Sequence, residues 1–398
     1  MTQQPDYHVI VVGGGPSGAT AAHDLAVAGH RVMLLDRAGR IKPCGGAVPP
    51  RLLKDFDVPQ SLLVAHAKSA RIIAPSNRKV VMPVGEGGFV GMVDRDVFDE
   101  WLRARAASAG ATRVTGRCEE VDDSKDLVTL SYRTDRDAIP QTVTARAVIG
   151  ADGARSSVAR QCIKNADRVP CVFAYHEVVE VPDTIDADYD ATRCDVYYQG
   201  HLSPDFYAWI FPHGKHASIG LGSADKGFPL RETTRLMREQ TGMAHWKTVR
   251  KEGAPIPLKP LKRWDNGRNV VVAGDAAGVV APSSGEGIYY AMTAGRTSAI
   301  AVAGFLASGN PRALRLARKA FMKDHGRVFW ILGIMQYFWY RNDARRERFV
   351  SMCADPDVQR LTWDAYMHKK LPRRDPMAHV RIFFKDLGHL LRLRAVES

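Results

Sequence analysis

The chain has 398 residues, 45% of them hydrophobic and 25% charged, an ordinary globular composition that excludes general disorder and leaves room for two domains of common size. Its six cysteines (Cys44, Cys118, Cys162, Cys171, Cys194, Cys353) carry no C-x-x-C or His pairing, which argues against zinc, an iron–sulfur cluster or a disulfide framework and fits a reducing, cytoplasmic compartment. The net charge of +13 is concentrated in residues 312–398, which hold 19 Lys and Arg against 9 Asp and Glu, yet no nucleic-acid-binding motif accompanies it.

The first strand starts within seven residues of Met1 and nothing before it reads as a signal or transit peptide. His8 to Val12 is a β-branched, uncharged run of the kind buried on both faces of a parallel sheet. It leads into Gly13-Gly14-Gly15-Pro16-Ser17-Gly18, a G-x-G-x-x-G turn, and then a small-residue helix from Ser17 to Ala28 closed by Gly29. A second apolar run, Arg31 to Leu35, ends at Asp36, eighteen residues past Gly18, where the ribose-binding acid of a βαβ dinucleotide site is expected. Gly13 permits the tight turn, Gly15 lets backbone approach a pyrophosphate, and Gly18 lets helix pack on strand. The motif points to a dinucleotide and leaves FAD or NAD open.

From Arg37 to Pro50 the chain is turn-rich, with Cys44-Gly45-Gly46 set between prolines, a place where backbone must come close to something. Strand-like runs follow at 70–73 and 79–82. Asp94 reads as the cap of a helix ended by Gly110. Strands are expected around 112–121, 127–133 and 145–149, the last running into Gly150-Ala151-Asp152-Gly153. Residues 168–262 are aromatic and strand-rich, suited to an antiparallel sheet around an apolar ligand. Asn269 to Ala273 reads as another buried strand, followed by Gly274-Asp275, a loop through Gly285, Glu286 and Gly287, and a helix over 288–307. Val328 to Tyr340 is the longest uncharged apolar run. At thirteen residues it is too short to span a bilayer, where about 20 are needed. With Arg341, Arg345, Arg346 and Arg348 behind it, it is either an interfacial anchor on an anionic membrane or a core-packed helix with a solvated basic end.

Taken together, the first turn with its acid at 36, Gly150 to Gly153 and Gly274-Asp275 resemble the three ordered motifs of the FAD-dependent hydroxylase superfamily. Within it, Lys42-Pro43-Cys44-Gly45-Gly46-Ala47 and Tyr207-Ala208-Trp209-Ile210-Phe211-Pro212 resemble the geranylgeranyl reductases, above all their photosynthetic branch. That resemblance implies an α/β fold: a Rossmann-type, glutathione-reductase-like FAD-binding domain (1–67, 94–167 and 263–310), an inserted antiparallel β-sheet substrate domain (68–93 and 168–262) and a helical, basic C-terminal region (311–398). It also implies three successive reductions of a geranylgeranyl group to phytyl, on bacteriochlorophyll or the free diphosphate, with NADPH as reductant and ferredoxin as the alternative. Pigment-synthesis enzymes would be partners, at the inner or intracytoplasmic membrane. Carried over residue by residue, Gly13, Gly15 and Gly18 face the FAD pyrophosphate, Asp36 with Arg37 beside it the adenosine ribose, and Arg95 the phosphates. Asp152 and Gly153 steady the nucleotide, Gly274 and Asp275 meet the ribityl chain, and Gly285, Gly287 and Ile288 form the turn under the flavin.

Adding hydride to an isolated alkene requires an acid in a dry, apolar site. The sequence offers Cys44 and Tyr207 for that role, with His176 and His213 behind them. Cys44, Gly45 and Gly46 are expected beside the flavin, and Tyr207, Trp209 and Phe211, alternating along a strand, present their rings to the prenyl chain. A flavin monooxygenase, an archaeal-type lipid reductase and a flavin-binding pigment carrier are the competing readings.

Overall fold

The computed structural model describes residues 4–37 and 42–369. The chain opens with β1 (Tyr7–Val12), α1 (Pro16–Val27) and β2 (Val32–Asp36), followed by β3 (Ala47–Val48), α2 (Pro50–Asp55), β4 (Leu63–Ala67), β5 (Ser69–Ile73), β6 (Lys79–Pro83) and β7 (Val90–Val93). Then come α3 (Arg95–Ser108), β8 (Thr112–Thr115), β9 (Arg117–Asp122), β10 (Val128–Arg133), β11 (Gln141–Gly150) and α4 (Ser157–Cys162). The middle of the chain supplies β12 (Cys171–Glu180), β13 (Arg193–Tyr197), β14 (Ala208–His213), β15 (His216–Ser223), α5 (Leu230–Gln240), β16 (Thr248–Pro257) and β17 (Val270–Val272). Four helices follow: α6 (Ile288–Ser308), α7 (Arg315–Trp339), α8 (Asp343–Met352) and α9 (Pro356–His368).

The first sheet has the order β8-β2-β1-β11-β10-β9, with β17 beside β11. Its parallel strands β2, β1, β11 and β17 are where the uncharged Val and Ile runs lie, buried on both faces, and β8 pairs with β2 as an exposed parallel edge. The ten-residue β11 joins two regimes, since its first half pairs antiparallel with β10 and its second half parallel with β1. On one face α1 and α6 meet almost backbone to backbone: a Cβ on Gly295 would stand 2.1 Å from the Ser17 carbonyl oxygen. Small residues in both helices make that approach possible.

The second sheet has the order β16-β12-β15-β14-β13-β5-β6. It departs from the all-antiparallel expectation at one junction, where β13 runs parallel to β5. There the buried Arg71 of β5 grips Asp195 of β13 through two hydrogen bonds of 2.9 and 2.6 Å, a fork-to-fork pair that ties an early strand to a late one. Helix α5, unforeseen within the strand-rich stretch, lays Thr233, Thr234 and Met237 against β12 and β15. The third sheet is small, β3-β7-β4, so residues 90–93 pair with 47–48 and 63–67 and not with the large inserted sheet.

The apolar run at 328–340 forms the second half of α7 and the residue after it. Val328, Phe329 and Tyr340 are buried, whereas Trp330, Ile334 and Tyr337 are 67%, 47% and 75% exposed. Among the described residues no helix is long and apolar enough to cross a membrane. The part of the expected basic C-terminal region beyond Lys369 lies outside the described residues.

Candidate active site

At the end of β1 the glycines are fixed by collision. Gly13 has φ +104° and a Cβ there would lie 2.4 Å from the Ala151 carbonyl oxygen; one on Gly18 would lie 1.8 Å from the Gly13 carbonyl oxygen. Around Gly15 nothing stands within 4 Å of a Cβ position, so the turn opens onto free space in front of α1. The first turn of α1 has Pro16 at its head, no acidic residue and no side-chain cap, which leaves its N–H groups to an external anion. Asp36 closes this end of the groove. Its carboxylate accepts a 3.4 Å hydrogen bond from Arg103, which also donates to the Gly14 carbonyl. Arg37 lines the same groove.

Arg95 stands at the head of α3, 4% exposed, and donates twice to Asp99 one turn on, at 2.8 and 2.7 Å. Burial opposes its charge, but Asp99 and the neighbouring Cys44 thiol hold its pKa above the ordinary value. Asp94, read as a cap, makes no capping bond. It turns instead to His213, whose other ring nitrogen lies 3.0 Å from the Gly45 carbonyl oxygen. His213 therefore clamps the Cys44-Gly45-Gly46 loop. A Cβ on Gly46 would strike both the His213 ring and the Val93 carbonyl at 2.5 Å, and one on Gly45 would press on the Phe211 ring at 3.1 Å.

Asp152 faces the groove, yet its carboxylate serves the start of α4, accepting from Ser156 and Ser157. Asp275 ends the β17 turn, 9% exposed, and pairs with Lys42 across the cavity. Gly274, with φ +64°, keeps that turn within 2.7 Å of Ser17 as a Cβ would measure it. Gly285, Gly287 and Ile288 line the cavity where the chain turns into α6.

Beyond this polar groove the same cavity, about 1020 Å³, becomes aromatic. The rings of Tyr207, Trp209 and Phe211 follow one another at 5.9 and 6.1 Å, with Phe206 stacked on Tyr207 at 4.3 Å. The alternation along β14 thus does put them on one face. The Tyr207 hydroxyl donates to the Ser284 carbonyl at 2.6 Å, and burial raises its pKa above the ordinary tyrosine value, so its proton is already committed. His176 lies outside this cavity. With Ser218 it orients the Trp209 indole, whose N–H donates to the Ser218 hydroxyl at 3.1 Å. Both histidines are supports behind the wall, not groups within it.

The far wall comes from α9, whose Trp363 and Tyr366 line the cavity. Just past α9, Lys369 pairs with Glu286, the two side chains being 1% and 7% exposed. The sequence reading missed Asp99, Arg103, Lys42, Trp363, Tyr366 and Lys369. The i,i+4 spacing of Arg95 and Asp99 on a helix is a readable signal for the first. Nothing local marks α9 as a wall for a site built more than seventy residues earlier.

Residues 11–82 match the NAD(P)-binding Rossmann-like domain family. Geranylgeranyl diphosphate reductase of Rhodobacter capsulatus is 55% identical over 384 residues, covering 96% of this chain and 97% of the relative. The chain belongs to the geranylgeranyl diphosphate reductase family. The reductase of that name from Synechocystis is 34% identical, with 98% of both chains covered. The digeranylgeranylglycerophospholipid reductase of Methanoculleus marisnigri is 31% identical over 87% of each. Among solved structures, a geranylgeranyl bacteriochlorophyll reductase-like protein of Thermoplasma acidophilum superposes with a TM-score of 0.80 at 22% identity, covering 94% of this chain and 99% of that one. The flavin-dependent brominase Bmp2 follows at 0.74 and 14% identity, covering 96% and 99%. This family member therefore has the Rossmann-type α/β fold that its first motif implies. Its groove fits FAD: a bare helix N-terminus over open space for pyrophosphate, Asp36 for a ribose, and a long cavity leading onward to the α6 N-terminus.

Proposed function

We propose that the chain is an FAD-dependent oxidoreductase of isolated prenyl double bonds, reducing a geranylgeranyl group to phytyl in three steps. The observation that carries the reading is the single cavity, in which a dinucleotide groove opens directly onto a row of aromatic rings. Family membership at 55% identity supports it. The substrate is geranylgeranylated bacteriochlorophyll or geranylgeranyl diphosphate, and the electron donor is NADPH, with ferredoxin as the alternative.

FAD, once reduced, supplies a hydride to one carbon of the alkene. The remaining work belongs to the chain. Gly13, Gly15 and the N-terminus of α1 hold the pyrophosphate; Asp36 and Arg37 meet the adenosine ribose; Arg95 faces the phosphates; Lys42 and Asp275 meet the ribityl chain. The N-terminus of α6, behind Gly285 and Gly287, offers N–H groups and the positive end of a helix dipole to negative charge on the flavin ring. Tyr207, Trp209 and Phe211 position the prenyl chain and exclude water, and aromatic faces favour cationic character at its tertiary carbons. Cys44 lines the same cavity beside Arg95, in the loop that would meet the flavin.

The exposed stripe of α7 supports peripheral attachment to an anionic membrane on the cytoplasmic side. Lys323, Arg327, Trp330, Ile334, Tyr337 and Arg341 recur at helical spacing, basic at both ends and apolar between. A prenylated pigment would be met there.

The test is mass spectrometry of the prenyl product after anaerobic incubation of the protein with FAD, NADPH and either substrate. Stepwise gains of two, four and six mass units are expected. A hydroxylated product formed only with oxygen, or no gain with chemically reduced flavin, refutes the reading.

A further inference from the structure

The loop that turns into α6 carries one acidic side chain into the cavity wall. Glu286 sits between Gly285, at φ +65°, and Gly287, and lines the cavity with Phe206, Tyr207, Trp363 and Tyr366. One carboxylate oxygen, Oε2, accepts from Lys369. The other, Oε1, is buried and has no hydrogen-bond partner among the described residues, and the same holds for the Tyr366 hydroxyl. A buried ion pair is costly in lost hydration, and a buried unpartnered oxygen is rare enough to ask for a reason. A purely structural strap between the loop and α9 would use both oxygens. This one leaves its second oxygen without a partner inside an otherwise aromatic stretch of the cavity wall. The sequence-nominated acids are less free: the Tyr207 proton is held by the Ser284 carbonyl, and Cys44 lies beside the cationic Arg95.

We infer that Glu286, backed by Lys369, delivers the proton that completes each alkene reduction. The inference rests on the prenyl-reductase reading above. In the step the C=C π bond breaks and two C–H bonds form. The proton from Glu286 Oε1 goes to the less substituted carbon, and the hydride from the reduced flavin goes to the tertiary carbon, the flavin being oxidised by two electrons. Water entering the cavity after the product leaves returns one proton to the pair.

The surroundings suit that exchange. Burial raises the Glu286 pKa and lowers that of Lys369, both toward the uncharged carboxylic acid and amine. Either way the resting pair has no net charge, and losing a proton leaves it at minus one, opposite the carbon that has become positive. The other titratable groups facing the pair are Tyr207, Tyr289, Tyr290 and Tyr366, with Arg51 acting on Lys369 from α2. Those tyrosines are neutral near pH 7, and the Arg51 charge discourages protonation of Lys369.

The experiment compares the full-length protein with its E286Q, E286D and K369M variants, each loaded with FAD. A positioned acid contributes about 10²–10⁴-fold, so E286Q should lose about 100-fold or more in kcat for prenyl reduction. KM should hold, and flavin reduction by NADPH should change by less than about threefold. E286D should recover part of the rate, and K369M should displace the pH–rate profile. On the ligand-free protein, infrared difference spectra should show a protonated-carboxyl band, absent from E286Q, that persists to higher pH than that of an ordinary glutamic acid. If E286Q keeps its rate and pH profile, or if its loss only tracks loss of FAD binding, the proton role is overturned. If the unaltered protein yields no mass gain, the reductase reading fails and this step with it.

Discussion

Replacing Arg95 by Met tests how the phosphate end of the groove is built. The two groups are 4% and 6% exposed at their side chains and share hydrogen bonds of 2.8 and 2.7 Å. R95M leaves the Asp99 carboxylate buried without its cation, a change that costs about 3–5 kcal/mol. At about 1.2 °C per kcal/mol for a chain of 398 residues, the ligand-free protein should unfold roughly 4–6 °C lower. In R95M/D99L both charges are gone, and removing both partners of a buried pair is often close to neutral, so the double variant should return to within about 1 kcal/mol of the original. FAD affinity should follow a different order. Both variants lack the guanidinium, so both should bind FAD weakly by flavin fluorescence even though only one is unstable. Thermal unfolding of the apoproteins and FAD titration together decide the matter. An R95M protein that melts with the original, or a double variant that regains FAD affinity along with stability, would refute the reasoning.

Two further outcomes follow from the same geometry. The hydrogen bond from His213, opposed by burial, holds the Asp94 carboxyl below its usual pKa of 3.8. A lowered folded-state value means that the stability Asp94 contributes is present above about pH 4 and is lost as pH falls through that lower value. The difference in urea midpoint between the original and D94N should therefore close in acid, and a difference constant with pH would contradict it. On α7, W330S/Y337S removes the two most exposed rings of the apolar stripe. Each ring is worth about 1.5–3 kcal/mol when buried, so co-sedimentation with anionic vesicles should fall by more than about tenfold, with no change in thermal unfolding. Equal sedimentation of the two proteins would remove the membrane role of this face.

The nucleotide half of the molecule was legible because its signals are local. Val9 to Val12 must be buried on both sides, Gly13 and Gly18 must be glycine because carbonyl oxygens occupy their Cβ positions, and Asp36 ends the second strand at the expected spacing. The alternation of Tyr207, Trp209 and Phe211 was equally readable, since period two decides which face a strand side chain takes. Asp94 carries the right chemistry for its neighbourhood, yet the donor it reaches, His213, depends on how β14 comes to lie.

The sequence by itself determined the βαβ unit, the dinucleotide groove and the aromatic strand face, because each follows from backbone sterics and side-chain periodicity within about thirty residues. Only the tertiary structure decided where the cavity ends. It brought α9 across the aromatic channel, set Lys369 against Glu286, and stood Lys42 against Asp275. Those pairings join residues 83 and 233 positions apart. No local pattern encodes them, because a buried charge finds its partner through the packing of whole elements.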